Sequence, residues 1–281
     1  MIAVTAATGK TGRAIIQAAA AARLPVRAVL HSDNSRATVT EDGAAEAVVA
    51  DLLVPAEVRA AIAGTEAVVH IGPAMHPREI AIGETVIDAA AAAGIHHFVL
   101  MSVTHPQLEP LLNHQSKLAA ERRLLLSRLR YTILQPMHYM QDVDVAASVS
   151  SGIYQQPYSL ERPLSFVDLH DVGEVAACVL ADPAHHAAAT YELCGADTLT
   201  GHEVAEILTT VSGTKVRAQA VAPAEIISRL IDAPDYTIDG MLRLFGHYDR
   251  YGITGNPNVL SWLLGRAPTS FADYVKRALV V

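Results

Sequence analysis

The stretch Ile2-Ala-Val-Thr-Ala-Ala-Thr-Gly-Lys-Thr-Gly12 joins a short apolar run to a loop with two glycines, and an alanine-rich segment follows it. The apolar run predicts a buried β-strand over Ile2–Val4, and the alanine-rich segment predicts a helix from Gly12 to Ala22. A strand that leads through such a loop into a helix directs backbone N–H groups and the positive end of the helix at a diphosphate. The stretch therefore predicts a dinucleotide-binding site.

The loop has the spacing Ala6-x-x-Gly9-x-x-Gly12, which lacks the first glycine of the usual three. We expect Gly9 to let the phosphate approach, Gly12 to let the helix pack closely on the strand, and Ala6 to be tolerated if its φ is negative. The other loop residues expected at the cofactor are Thr5, Thr8, Lys10 and Thr11. Two alternatives are a Walker A loop, which would need a glycine where Val4 stands, and a plain glycine turn.

Length and composition indicate one large α/β domain or one domain with a smaller appendage. The chain has 281 residues, of which 51% are hydrophobic, enough to fill a substantial core. The two cysteines, Cys178 and Cys194, form no C-x-x-C pair, so we expect a reducing, cytoplasmic compartment. No signal-peptide pattern and no apolar run of ~18 residues is present, which predicts a soluble protein without a membrane partner. The net charge of −8 argues against nucleic acid as the main partner.

Strand and helix patterns alternate after the first helix. The next predicted strands are Val26–Leu30, Ala47–Ala50, Ala67–Ile71, Phe98–Met101 and Tyr131–Leu134. The predicted helices between them are Val54–Ala63, Arg78–Ala93 and Gln115–Arg128. Continuous apolar strands without alternation are typical of a parallel sheet that is covered on both faces. The pattern therefore predicts an α/β protein with a Rossmann-type, doubly wound parallel sheet.

The pattern changes after Gln135-Pro136. We expect an excursion that lines a cleft up to Leu160, and then a return to the main sheet by a strand, Ser165–Val167, and a helix, Val172–Ala181, which Asp171 caps. The remaining predicted elements are the strand Tyr191–Cys194 and the helices His202–Ser212, Pro223–Leu230, Tyr236–Phe245, Val259–Leu264 and Phe271–Ala278. We therefore predict a dinucleotide-binding domain, 1–135 with 164–182, and a smaller, mostly helical substrate lobe, 136–163 with 183–281, over the carboxyl edge of the sheet.

Six sequence strings resemble, in this order, the NmrA-like branch of the atypical short-chain dehydrogenases. They are Thr5-Ala-Ala-Thr-Gly-Lys-Thr-Gly12, Val26-Arg-Ala-Val-Leu30, Phe98-Val-Leu-Met-Ser102, Tyr131-Thr-Ile-Leu-Gln-Pro136, Phe166-Val-Asp-Leu-His-Asp-Val172 and Leu264-Gly-Arg-Ala-Pro268. The similarity covers nearly the whole chain. It implies a Rossmann domain, a nicotinamide dinucleotide, and either reduction of a small molecule, often a quinone, or redox sensing without turnover.

The residues at the end of the second strand are expected to determine whether NAD or NADP binds. His31 and Ser32, with Arg36 or Lys10, can surround the 2′-phosphate of NADP, whereas Asp33 can hold the ribose hydroxyl of NAD. We favour NADP, and a turn that is only solvated is the alternative.

Residues at three other strand ends are also expected at the cofactor. Asp51 stands where similar proteins contact the adenine ring, or it caps the turn into Pro55. Gly72-Pro73 lets backbone approach the nicotinamide ribose or the diphosphate, or it simply ends the strand. Pro136 follows the sixth strand, and we expect it to contact the cofactor as well.

The candidate catalytic residues depart from the ordinary dehydrogenase pattern. That pattern has a serine after the fifth strand and a Tyr-x-x-x-Lys pair on the next helix, but here Ser102 and Lys117 accompany Asn113 at the tyrosine position. We expect Lys117 to orient the nicotinamide ribose, the alternative being an exposed lysine on a charged helix face. His114 and Tyr139 are candidates to contact the substrate or supply a proton, and half-buried packing is the alternative for both.

Met137, Met140 and Tyr154 are expected to form an apolar wall for a flat ligand, or otherwise to be core. No metal site is expected, because the His202-Glu203 helix lacks the second histidine of a zinc motif. The sequence therefore predicts an NAD(P)H-dependent oxidoreductase, monomeric or homodimeric, that transfers hydride to a small quinone-like or conjugated carbonyl acceptor. The alternatives are a redox sensor that binds another protein, and a reductase or isomerase of specialised metabolism.

Overall fold

A computed structural model describes residues 1–230 and 232–280, and these fall into two compact units. The first unit consists of Met1–Glu109, Asn113–Pro136 and Leu169–Glu192. The second unit consists of Pro110–Leu112, Met137–Asp168 and the described residues from Leu193 onward.

Strands occur in both compact units. They are β1 (Ile2–Val4), β2 (Val26–Leu30), β3 (Glu46–Val49), β4 (Ala67–Ile71), β5 (His97–Met101), β6 (Tyr131–Pro136), β7 (His138–Tyr139), β8 (Ile153–Gln156), β9 (Leu164–Val167), β10 (Ala189–Leu193), β11 (Thr198–Leu199) and β12 (Arg217–Ala220). Seven of them form one sheet in the order β10-β6-β5-β4-β1-β2-β3. In this order the chain moves outward from β1 to β3 and then crosses to β4 on the other side of β1. The predicted doubly wound sheet is confirmed.

The parallel register of this sheet brings the ends of β1 and β4 together. Ile2 stands opposite Val26 on one side and Ala67 on the other, and Val4 stands opposite Val69. All five residues of β5 are buried, as is typical of a strand covered on both faces. Because β1 lies between β2 and β4, the loop after β1 is at the switch point where ligands bind in such sheets.

Helices likewise occur in both compact units. They are α1 (Lys10–Ala21), α2 (Arg36–Glu41), α3 (Pro55–Ile62), α4 (Glu79–Ala92), α5 (Leu112–Leu125), α6 (Val145–Ser151), α7 (Leu169–Ala181), α8 (Gly201–Ser212), α9 (Pro223–Ile227), α10 (Asp235–Tyr251), α11 (Asn258–Leu264) and α12 (Phe271–Val280). Within the described residues, none of them is both long and apolar enough to pass through a lipid bilayer.

Small residues let α1 and α7 pack closely in the first unit. A Cβ on Gly173 of α7 would lie 2.7 Å from the carbonyl oxygen of Ala14 and 3.3 Å from the Cβ of Ala18, both on α1. A larger side chain at Gly173 or Ala18 would push the two backbones apart. The alanine-rich sequence of α1 is therefore what allows this approach.

The core of the first unit is built from the apolar strands and the helices that cover them. Side chains of α3 and α4, such as Ile62 and Val86, pack with Val68, Phe98 and Leu100 of the sheet, and all five are almost fully buried. Burial of such side chains stabilises the fold by about 1.5–3 kcal/mol each. This packing fixes the positions of the loops at the carboxyl ends of the strands.

The second unit contains two small sheets, one of which corrects a prediction. The strand predicted over 165–167 does not return to the main sheet, because β9 pairs with β7 and β11 in a three-stranded sheet. Strand patterns are local and do not specify the partner strand. Likewise, Asp171 is not the cap of a helix, because α7 already begins at Leu169 and buries Asp171.

Candidate dinucleotide-binding site

The loop between β1 and α1 makes a tight turn at Ala6. Its φ is 46°, in the left-handed region, so the condition under which alanine would be tolerated without strain is not met. The turn is closed by a hydrogen bond from the Gly9 N–H to the Ala6 carbonyl oxygen, at 3.0 Å. Left-handed backbone costs a residue with a Cβ roughly 1–2 kcal/mol. The loop therefore keeps a strained alanine at the position where the usual pattern has glycine.

The two glycines of the loop are needed for different reasons. A Cβ on Gly12 would lie 2.5 Å from the Ala6 oxygen and 2.8 Å from the Ala7 Cα, so the helix fits against the turn only with glycine there. A Cβ on Gly9 would meet nothing closer than the Ala6 oxygen, at 3.4 Å, and the φ of −73° suits any residue. No packing within the described residues demands glycine at position 9, and the space beside it is open to a ligand.

The N-terminus of α1 has no capping side chain. Gly9 is the N-cap residue, no side chain accepts a hydrogen bond there, and the first turn contains no acidic residue. The Arg13 N–H donates to the Gly9 oxygen at 3.0 Å, which leaves the N–H groups of residues 10–12 ahead of the helical hydrogen bonds. Thr8, Gly9 and Lys10 are exposed. Loop, helix end and open space together fit a diphosphate.

Thr5 has an internal role. Its side chain is fully buried, and its Oγ1 accepts the Ile71 N–H at 3.0 Å and lies 2.9 Å from Nδ1 of His70. Burial, together with the charge of Lys117, lowers the pKa of His70 to about 3, so the imidazole is neutral at physiological pH. This hydrogen-bonded pair, which the sequence pattern does not indicate, ties the end of β1 to the end of β4.

Lys117 is buried, so the alternative of an exposed lysine on a charged helix face is wrong. Its Nζ lies 2.7 Å from Oε1 of Glu79, the first residue of α4, and donates to the Gly72 carbonyl oxygen at 3.4 Å. Burial raises the pKa of the Glu79 carboxyl, and the ammonium of Lys117 opposes that shift. Glu79 was not anticipated, because an acidic residue in the first turn of a helix is normally solvated.

Gly72 faces this ion pair. A Cβ on Gly72 would lie 3.0 Å from Nζ of Lys117 and 3.0 Å from Oε1 of Glu79. Glycine at the end of β4 therefore makes room for a buried charge pair. Pro73 follows it and is half-buried.

Ser102, at the end of β5, belongs to a second buried polar group. Its Oγ donates to Oε1 of Glu121 on α5, and Nε2 of Gln135 donates to the same oxygen at 2.8 Å. The sequence held a signal for Glu121, which lies four residues after Lys117 and so shares its helix face. The hydroxyl proton of Ser102 is committed to Glu121 in this arrangement.

The structure places the two candidate proton donors in different units. His114 is buried in the first unit, where its Nδ1 donates to the carbonyl oxygen of His105 at 2.8 Å. Tyr139 is half-buried on β7 of the second unit. Pro136, at the end of β6, is buried.

Two of the candidate residues that follow β2 are exposed, and two others form an ion pair with each other. His31 and Ser32 are exposed. Arg36 forms a 2.6 Å ion pair with Asp33 and donates to the Ala47 oxygen at 2.6 Å. The guanidinium of Arg36 and the carboxylate of Asp33 thus neutralise each other.

Asp51 caps a turn, as one alternative held. Its Oδ1 accepts the Leu53 N–H at 2.9 Å, and its own N–H donates to Oε2 of Glu57 at 2.8 Å. The side chain is exposed, so this hydrogen bond leaves the second carboxylate oxygen accessible.

One cluster with metal-ligating atoms lies on α7. Ligand atoms of His170, Asp171 and Glu174 lie within 4.8 Å of one another, and each of the three residues has a further interaction. Such acidic clusters are common without an ion.

A doubly wound sheet whose first loop leads into an uncapped helix defines the class of Rossmann-type dinucleotide-binding proteins. The sequence also matches the NmrA-like family over residues 1–275, and the chain belongs to that family. The family that the six sequence strings indicate is therefore confirmed.

Three relatives extend this comparison. The chain is 25% identical to an NAD(P)H azoreductase of Xenophilus azovorans, with 98% of this chain and 97% of the relative covered. It is similar to the crystal structure of the NADPH-dependent quinone oxidoreductase QOR2 of Escherichia coli complexed with NADPH, with 24% identity, a TM-score of 0.84, and 99% of this chain and 100% of that chain covered. The triphenylmethane reductase of Citrobacter sp., complexed with NADP(H), is 25% identical with a TM-score of 0.84, and 99% of each chain is covered.

Proposed function

We propose that the protein is an NAD(P)H-dependent oxidoreductase that transfers hydride to a quinone-like or conjugated carbonyl acceptor. The observation that carries the proposal is the β1–α1 loop, where an uncapped helix end and an open position at Gly9 fit a diphosphate. The relatives support it, because each is named as a reductase or oxidoreductase that uses NAD(P)H or is bound to NADPH or NADP(H).

The cofactor supplies the hydride, and this chain supplies binding and position. The N–H groups of residues 10–12 bind the diphosphate, and the positive end of α1 favours its charge. His31 and Ser32, both exposed, are the residues proposed to read the 2′-phosphate of NADPH, and Lys10 is the candidate cation, since Arg36 is paired with Asp33. NADPH is therefore favoured over NADH.

Lys117 acts as a positioning residue. Its ammonium is held by Glu79 and by the Gly72 oxygen, so it fixes the end of β4 beside the diphosphate loop. The acceptor receives no proton from a phenol at the usual place, because Asn113 stands there. After hydride transfer to a quinone, solvent supplies the proton.

Both cysteines are free thiols, which supports a reducing, cytoplasmic compartment as part of the proposal.

Titration calorimetry with NADPH and NADH, followed by NADPH oxidation with a panel of quinones, tests the function. We expect NADPH to bind at least tenfold more tightly than NADH and to be oxidised above the background rate. Tighter binding of NADH would overturn the cofactor choice. Tight binding of NADPH without turnover of any acceptor would overturn the enzyme in favour of a redox sensor.

A pair of variants tests the positioning role. Lys117→Met leaves Glu79 buried without its cation, and we expect the free energy of unfolding to fall by about 3 kcal/mol, with weaker NADPH binding. The matched double variant, Lys117→Met with Glu79→Gln, removes both charges and should regain most of that stability. If NADPH affinity is unchanged in both variants, Lys117 has no part in the site.

A further inference from the structure

Two neighbouring cavities lie at the amino edge of the main sheet, within the first unit. The larger has a volume of about 490 Å³ and the smaller of about 330 Å³, and His96 and Arg130 line both. These two residues directly precede β5 and β6. The five residues of β5 separate this edge from the carboxyl edge by about 16 Å. The dinucleotide loop therefore does not account for these cavities.

The larger cavity is cationic. Arg128, Arg130 and His96 line it, and among the described residues that line it none is acidic. Both arginines are exposed, and within the described residues neither guanidinium forms a hydrogen bond or an ion pair. Arg123 on α5, by contrast, pairs with Asp88. In a chain with a net charge of −8, two unpaired guanidinium groups at one cavity fit an anion.

The backbone at Arg128 does not by itself explain an arginine there. Its φ is 44°, in the left-handed region, in the segment between α5 and β6. Glycine adopts this conformation freely, whereas a residue with a Cβ is disfavoured. Residues held in such conformations cluster at binding sites. What an arginine supplies at this position is its guanidinium at the cavity.

The smaller cavity is mainly apolar. Its walls include Ile2, Leu24, Pro25 and Leu180. Glu66 also lines it and is exposed. The carboxylate of Glu66 repels an anionic group, whereas the apolar walls favour a hydrocarbon chain. The two cavities therefore suit different parts of one ligand.

The volumes set the size of this ligand. A cavity of about 150 Å³ is enough to hold benzene. Acetate or inorganic phosphate alone would thus leave most of the larger cavity unfilled. Cavities of roughly 300–1,000 Å³ are typical of sites for small organic molecules. An organic anion that extends past Arg130 uses both cavities.

We propose that the two cavities bind an amphipathic organic anion, with its carboxylate or phosphate at Arg128 and Arg130 and an aliphatic chain along Leu24 and Leu180. The guanidinium groups donate paired N–H groups to the oxygen atoms of the anion. Burial of the chain removes apolar surface from water. This binding does not rest on the proposed function, because it uses no residue of the dinucleotide site.

Titration calorimetry with the full chain tests the binding. Octanoate and octyl phosphate are the amphipathic anions, acetate and inorganic phosphate are the head groups alone, and octylammonium has the same chain with the opposite charge. We expect one of the two octyl anions to bind at least tenfold more tightly than its head group and than octylammonium, since burial of about two methylene groups gives such a gain. Octyl anions that bind no better than octylammonium would overturn the proposal.

A second titration separates this site from the dinucleotide loop, which also attracts anions. With NADPH at saturation, the affinity for the octyl anion should stay within about twofold, because the two edges of the sheet are far apart. Displacement of the octyl anion by NADPH would overturn the amino-edge site. Failure of NADPH to bind at all would overturn the proposed function, and the variants below would still localise the anion.

Charge variants localise the head group. Arg128→Gln and Arg130→Gln should each weaken binding of the octyl anion at least fivefold, because each removes one guanidinium. Arg122→Gln is the matched control, since that arginine is exposed on α5 and outside both cavity linings. If both cavity variants bind the anion as the parent does, the larger cavity is not the site.

A glycine variant distinguishes a binding role of Arg128 from a structural one. Arg128→Gly relieves the left-handed backbone, so the melting temperature should rise by about 2 °C while the anion is lost. Arg23→Gly is the control, because Arg23 is exposed, has a φ of 59° and lines neither cavity. It should raise the melting temperature similarly and retain the anion. Lower stability with unaltered affinity in Arg128→Gly would show a structural role and overturn the proposal.

Filling the smaller cavity tests the place of the chain. Ala184 lines that cavity and is exposed, so Ala184→Phe adds a ring there without disturbing the core. Binding of the octyl anion should weaken about tenfold, whereas binding of the head group alone should not change. Undiminished affinity for the octyl anion would place its chain elsewhere and overturn the two-cavity site.

Discussion

Helices α1 and α8 have the same length, twelve residues, and begin in opposite ways. At α8, Thr200 accepts the Glu203 N–H through its side chain, and the Glu203 carboxylate accepts the Thr200 N–H at 2.8 Å. At α1, Gly9 offers no side chain, and the first turn has no acid. One helix caps its own first turn with side chains, and the other begins without a capping side chain.

The difference between the starts of α1 and α8 shows that a feature that lowers local stability can leave space for a ligand. A capping side chain stabilises a helix by about 1 kcal/mol, and a capping box supplies this at α8. The same residues at α1 would occupy the place proposed for the diphosphate. The uncapped end and the strained Ala6 thus make the loop less stable by itself and available to a ligand.

The largest expected effect is at Gly12. Gly12→Ala places a Cβ 2.5 Å from a backbone oxygen, so we expect the free energy of unfolding to fall by about 3 kcal/mol and NADPH binding to be lost. Thermal unfolding and calorimetry measure both quantities. Gly246→Ala is the control, because that exposed glycine on α10 has open space around it, and it should stabilise the protein by about 1 kcal/mol. Native stability in Gly12→Ala would contradict the close packing.

The next effect tests whether α1 can be made to resemble α8. Gly9→Asp supplies a capping carboxylate, so we expect stability to rise by a few tenths of a kcal/mol. NADPH affinity should fall more than about tenfold, because the new carboxylate repels the diphosphate. Gly9→Ala adds the Cβ without the charge, and its intermediate affinity would separate steric from electrostatic exclusion. Undiminished binding by both variants would place the diphosphate elsewhere.

The reverse change is made at α8. Thr200→Ala should lower the free energy of unfolding by about 1 kcal/mol and leave NADPH binding unaltered. Hydrogen bonds from Thr200 hold the pKa of Glu203 below its ordinary value of 4.5, so the stability from this carboxylate is present above pH 4.5 and is lost as the pH falls through the lower, folded-state pKa. Denaturant unfolding at pH 7 and pH 3 should therefore show a smaller difference between variant and parent in acid. A difference that grows in acid would refute the role of Glu203.

The smallest effect is at Ala6. Ala6→Gly relieves the left-handed backbone but adds entropy to the unfolded chain, so we expect a net stabilisation of about 0.5 kcal/mol. NADPH affinity should change less than twofold. A loss of stability, measured by chemical unfolding, would show that the alanine methyl group has a packing role that outweighs the strain.

Most of the first unit could be predicted because its signals are local. Apolar runs such as Val26–Leu30 and Ala67–Ile71 coincide with the strands observed there, and the glycine spacing located the loop. The predicted fold class and family are confirmed by the comparisons. Two predictions were wrong, namely the return of β9 to the main sheet and the capping role of Asp171.

The buried charges were the least predictable part of the site. Lys117 and Glu121 stand in a helix rich in charged residues, where solvation is the ordinary expectation, yet both are buried. Each gains its partner from an element distant in sequence, Glu79 from α4 and Gln135 from β6. These partners come close only when the sheet has assembled. The spacing of residues along one helix therefore does not reveal them. The roles of the individual site residues stay predictions.

The glycine and alanines between α1 and α7 have a thermodynamic consequence for coenzyme affinity. The hydrogen of Gly173 and the methyl group of Ala18 have no rotamers to lose, so this contact holds α1 against α7 without loss of side-chain entropy at these two positions. The amide groups at its start are thus already oriented in the apoprotein. If the proposed pyrophosphate binds there, little of its attraction is consumed in ordering the protein.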